Sequence, residues 1–243
     1  MFTFINTAFN LVAVGLVWFA IFRTARGHDR PLLILVSTGI ASWVVVAMLV
    51  ERWLFQKGLN ASLQTTRLTL ALSVFGPVLI ANLTYFRTRF GDVVRTIPIP
   101  MLVAPHLVRI VLGITIVAQG TRDRLPKGFA NEAGIGDIAV GLLTVVVLLA
   151  YSTKWRYRNQ LVVAWSVLGL LDLLNALRLG VFQVAPYFRS TGRAEIGLIP
   201  FLGVPILLIS HAFVIYHLRT IRNRSQTVSA LPMPRSSLSQ TKV

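Results

Sequence analysis

The sequence predicts an all-α, polytopic membrane protein: a bundle of seven transmembrane helices, with the N-terminus outside and the C-terminus cytoplasmic. Three observations predict it. Seven apolar stretches, each close to the ~20 residues that cross a bilayer, take up most of the chain. Of its 243 residues 55% are hydrophobic and only 13% charged, too little charge to cover the surface of a water-soluble domain. The basic residues cluster in alternate loops, as the positive-inside rule requires.

The spans read, in order, as Phe4–Phe22, Leu32–Val50, Leu68–Phe86, Ile97–Gln119, Gly136–Tyr151, Leu161–Gln183 and Ile196–Leu218. Length and charged punctuation mark them, because a helix facing lipid is apolar nearly all round and shows little periodicity. The fifth is the shortest, unless it starts nearer Ala133. The loops after spans 1, 3 and 5 hold Arg23, Arg26 and Arg30, then Arg87, Arg89 and Arg95, then Lys154, Arg156 and Arg158. With five more basic residues beyond span 7, this face carries fourteen of the 24 Lys and Arg residues, against eight on the other. That asymmetry makes the richer face cytoplasmic and places the chain in the cell inner (plasma) membrane as a multi-pass protein.

Residues 1–224 form the seven-helix domain in this reading. Residues 225–243, rich in Ser, Pro and Gln, have too little apolar surface to order themselves and are expected to be a disordered cytoplasmic tail. The net charge of +16 lies in short loops and forms no continuous basic face, so the lipid bilayer is the partner, not nucleic acid. The absence of cysteine excludes disulfides and thiolate metal sites. The four lysines, Lys57, Lys127, Lys154 and Lys242, all lie outside the spans, which excludes a retinal Schiff base. No HExxH, GxSxG, Gly-rich phosphate loop or paired acidic cluster is present, so no catalytic set can be assembled.

Ionisable residues inside a span cost a few kcal/mol and mark ligand sites, pathways or helix-knitting pairs. His106, Arg109, Asp172 and His211 lie well inside; Asp137 and Arg178 lie nearer span ends, with Asn175 between Asp172 and Arg178. At about 1.5 Å per residue, Arg109 and Asp172 both fall near the midplane and can pair. Asp137 and Arg178 fall at matched depth in the outer half and form a second expected pair. Pro77, Pro200 and Pro205 are expected to break spans 3 and 7, and Pro105 and Pro205 to open a cavity between spans 4 and 7. His106 and His211 share a depth in the inner half, which makes them the ligand pair of a b-type haem, if one is bound.

Four segments, IPIPMLVAPHLVRIVLG, LPKGFANEAGIGDIAVGL, VAWSVLGLLDLLNALRLG and FLGVPILLISHAFVIYHL, resemble a family of uncharacterised bacterial seven-helix membrane proteins between Ile97 and about Arg219. The resemblance covers Arg109, Asp137, Trp165, Asn175, Pro205 and His211. This chain departs from the pattern at His106, where the family has glutamine, and at Gly113, where it has glutamate. The resemblance implies the topology and a polar core, and carries no activity. The departure at Gly113 removes a partner for Arg109, a place left to Asp172.

Three functions follow from these residues. The first is binding or transport of a small polar or anionic solute, or of protons. Arg109 is then the cationic anchor, Asp172 and His211 the titrating partners, and Asn175 a hydrogen-bonding group. The second is a redox or cofactor protein with haem between His106 and His211. The third is a receptor-like or accessory subunit.

Overall fold

A computed structural model of the chain describes residues 2–25, 30–57, 62–191 and 198–229, and the regular structure among them is entirely helical. The elements are α1 (Phe2–Ala25), α2 (Arg30–Lys57), α3 (Leu63–Arg87), α4 (Phe90–Thr96), α5 (Ile99–Val103), α6 (Val108–Gly120), α7 (Lys127–Ser152), α8 (Arg158–Leu179), α9 (Ala185–Thr191) and α10 (Val204–Ser229). A 3₁₀ turn over Ala104–Leu107 joins α5 to α6 into one rod. A π-helical turn over Gly180–Val184 joins α8 to α9, and another over Ile199–Gly203 leads into α10. Seven rods are therefore long and apolar enough to cross a membrane.

The boundaries differ from expectation in instructive ways. The fifth span begins not at Gly136 but at Lys127, right after Pro126. Its first two turns, KGFANEAG, read as loop because they hold a lysine, a glutamate and two glycines, yet Phe129, Ala130 and Ala133 face the core and are buried. The last helix runs to Ser229, beyond the expected limit at residue 224. The remainder of the expected tail, 230–243, lies outside the described residues. Pro77 does not break α3, which is continuous through it. Nor is the seventh rod broken: Pro200 lies in the π turn and Pro205 is the second residue of α10, and the helix changes from π to α between them without interruption. The seven-residue α4 was not expected at all. It buries Phe90 and Val94, and Phe90 meets Phe213 of α10 at 5.8 Å between ring centroids. Arg95 at its end donates from Nε to the Tyr85 hydroxyl at 3.1 Å.

The seventh rod is the hub. Over its most apolar stretch 78% of the residues are buried, against 6% for α2. It packs against α1, α3, α5 and α8. Tyr216 ties it to α3 by donating to Asn82 Oδ1 at 2.6 Å.

The closest pair is α6 with α7, which form a tight hairpin. The reason is glycine. A Cβ on Gly113 would lie 2.9 Å from Ile138 N, one on Gly141 2.9 Å from Ile110 N, and one on Gly134 3.0 Å from Gly113 O. These are backbone atoms with no freedom to retreat, so only glycine allows the approach. Small residues that let backbones close up are how helices associate where lipid tails are as apolar as leucine. The same geometry leaves no room for any side chain at Gly113.

Candidate functional site

The close α6–α7 hairpin fixes Asp137 against Arg109. Arg109 is the second residue of α6, one turn after His106 in the 3₁₀ segment. Its guanidinium is wholly buried. Nε donates to Asp137 Oδ1 of α7 at 2.7 Å, and Nη2 donates to Asp172 Oδ2 of α8. Both carboxylates are nearly buried, with side chains 12% and 13% exposed. Asp172 reaches Arg109 because it passes over Gly136, where a Cβ would overlap its carboxylate.

One of the two expected pairs is thus present and the other is replaced. Arg109 meets Asp172, but Asp137 meets Arg109, not Arg178. The cause is the earlier start of α7. Asp137 lies ten residues, or about 15 Å, inside that helix, at the level of Arg109. Arg178 sits two turns beyond Asp172 on α8 with its side chain 61% exposed. Its Nη2 donates to Asn175 Oδ1 at 2.9 Å and lies 3.9 Å from Glu132 Oε2. Asn175 therefore serves Arg178 rather than the buried core. An exposed pair of that kind contributes little.

His106 and His211 do converge, with Trp165 as the third ring. The imidazole centroids are 4.3 Å apart, and Trp165 lies 4.6 Å from His106 and 4.5 Å from His211. Gly169 makes room for His211, since a Cβ there would fall 2.6 Å from its Cε1. Trp165 Nε1 donates to Thr144 Oγ1 at 3.0 Å, and His211 Nδ1 lies 3.4 Å from Ser166 Oγ. The two rings expected as a haem ligand pair do come together, but packed directly against each other. Two axial imidazoles must stand apart with a porphyrin and its iron between them, whereas these are in direct contact and fully buried. No group of three or more potential metal-ligating side chains occurs among the described residues.

Four nitrogens in this centre are buried with no hydrogen-bond partner among the described residues: Arg109 Nη1, His106 Nδ1 and Nε2, and His211 Nε2. Unsatisfied nitrogens thus lie both on the triad and on the imidazole pair, with Arg109 one helical turn from His106.

The expected cavity between spans 4 and 7 is filled by this ring cluster. A cavity of about 80 Å³ lies on the other side of the triad, among α3, α6, α7, α8 and the seventh rod. Leu70, Leu112, Phe129, Leu173 and Phe201 are among its walls, and Asp137 lies on its edge.

Sequence reasoning missed Asn6 and Asn10, both fully buried on α1. The Thr115 hydroxyl lies 2.6 Å from Asn6 Oδ1 and 2.8 Å from Leu112 O, and Asn10 Nδ2 donates to Asn6 O at 2.6 Å. Their i, i+4 spacing on one helix face was the available signal. Thr144 and Ser166 were also missed, because a hydroxyl in an apolar helix gives no sign of what it meets.

The triad, the imidazole pair and the cavity walls on α3 to α10 all fall within residues 65–219. That segment, well over half of the chain, matches a family described as a domain of unknown function, DUF8737. The chain belongs to that family. No curated protein and no solved structure matches it.

Proposed function

We propose that this member of DUF8737 is an integral protein of the plasma membrane that carries protons through its polar core, with the N-terminus outside and the C-terminus in the cytoplasm. The orientation rests on the loop charges. The observation that carries the function is the set of four unpartnered buried nitrogens on the triad and the imidazole pair. Buried polar groups are nearly all hydrogen-bonded, to protein or to ordered water, so these nitrogens call for internal water, and water lying between carboxylates and imidazoles is the medium a proton relay needs.

Charge supports the same reading. One guanidinium and two carboxylates sum to −1, and one proton makes the triad neutral. An uncompensated charge at that depth costs a few kcal/mol, so the site gains by holding a proton and can pass it on when another cation compensates. His106 lies one turn from Arg109 at i, i+3, and His211 adjoins His106; because the guanidinium stays protonated, the relay from Asp172 and Asp137 passes Arg109 by internal water to the imidazole pair and on toward Ser166. Anchoring of an anionic solute by Arg109 fits less well, because Nε and Nη2 are already given to carboxylates.

The test is proton flux into proteoliposomes loaded with a pH-sensitive dye, under an imposed potassium diffusion potential. Flux above that of protein-free vesicles is expected, reduced on the order of tenfold or more in Asp172→Asn. Flux equal to that of empty vesicles refutes the reading.

A further inference from the structure

We infer that the cavity beside the triad binds a short alkylammonium ion, with the ammonium on Asp137 and the alkyl group against the apolar walls. Thr66 and Asp137 are the polar residues among its described lining. Arg109 Nε takes Oδ1 of Asp137, which leaves the second carboxylate oxygen free of the guanidinium. The Thr66 hydroxyl is directed to Ser62 O at 3.2 Å. A ligand entering here therefore meets one carboxylate oxygen in an otherwise apolar chamber.

Charge chooses among ligands of that shape. From α6 the carboxylate is faced by Arg109, and from α8 by Asp172. α3 brings only Thr66 and apolar side chains, and the seventh rod only apolar ones. The deprotonated triad carries −1, which an anion worsens and a neutral molecule leaves in place. A cation cancels it, and charge-assisted N–H···O bonds are about twice as strong as neutral ones. Size narrows the choice further. A cavity of about 80 Å³ is about half of the roughly 150 Å³ apolar cavity that takes up benzene, so it admits about three non-hydrogen atoms. Ethylammonium has that size.

Binding is then an exchange that balances. The neutral triad releases one proton as one ammonium ion enters, so the charge of the core is zero before and after. The exchange rests on the proton-carrying reading; the binding does not.

The test uses the full chain in lipid nanodiscs, with ethylammonium chloride as probe and ethanol as the uncharged molecule of equal size. Binding is followed by saturation-transfer NMR, and proton release by an indicator in weakly buffered solution. Saturable binding of ethylammonium, ethanol at least tenfold weaker, and loss of at least tenfold in Asp137→Asn support the proposal. Gly180→Leu provides an independent block, since Gly180 lines the cavity in a helical conformation and a Cβ there meets nothing within 4 Å. It should also abolish binding, with the fold and the triad intact. Equal binding of ethanol, unchanged binding in both variants, or no saturable binding overturns it. Binding without proton release upholds the cavity site and removes the proton-carrying reading instead.

Discussion

Arg109→Met removes the single cation from between two nearly buried carboxylates, and the cost can be worked from the charge count. The wild-type triad is neutral with one proton. Without Arg109, the site is neutral only with two. Protonating a carboxyl of ordinary pKa, about 3.9, at pH 7 costs about 1.36 kcal/mol per pH unit, or about 4 kcal/mol. That is a large share of a typical total stability of about 5–15 kcal/mol. The folded variant binds one proton more, relative to its unfolded state, than the wild type does. Its stability therefore rises faster as pH falls, by about 1.4 kcal/mol per unit, and the deficit shrinks to about 1.5 kcal/mol at pH 5. Unfolding by SDS in mixed micelles at the two pH values measures this. Combining Arg109→Met with Asp137→Asn and Asp172→Asn removes all three charges and should recover most of the loss. A deficit independent of pH, or a triple variant no more stable than the single one, refutes the reasoning and assigns the loss to packing.

Gly136→Ala puts a methyl group where the Asp172 carboxylate sits; proton flux should fall on the order of tenfold while the protein still folds, at a cost of about 1–3 kcal/mol. Gly141→Ala places its Cβ 2.9 Å from the backbone nitrogen of Ile110, which cannot yield, so the α6–α7 hairpin should weaken by about 1–3 kcal/mol in the same unfolding assay. Tyr216→Phe deletes the 2.6 Å bond to Asn82 between α3 and α10 and should cost about 0.5–1.5 kcal/mol, with proton flux unchanged.

The rods were legible because length and charge mark them directly. Arg109 and Asp172 were matched for the same reason, since each lies near the middle of a well-bounded span. Asp137 was misplaced because one helix start was misread. KGFANEAG is polar enough to pass as loop, and its burial arises only once Phe129 and Ala133 face α6 and α8. Arg178 then found its partner within its own helix, at Asn175. The convergence of His106 and His211 was readable from depth, but their direct contact depends on Gly169, whose small size has no meaning until α8 meets α10. The apolar cavity left no mark at all, because Leu70 or Leu173 looks the same in sequence whether it faces a cavity, a neighbour or lipid.

The central claim is that Arg109, Asp137 and Asp172 share one proton. Infrared spectroscopy of the protein in lipid at neutral pH tests it most directly, through the carbonyl stretch of a protonated carboxyl group. The account predicts such a band in the wild type, shifted in heavy water and lost equally in Asp137→Asn and in Asp172→Asn, because either change leaves one carboxylate paired with one guanidinium. A wild-type spectrum whose carboxylic acid band is unchanged by both substitutions would contradict it.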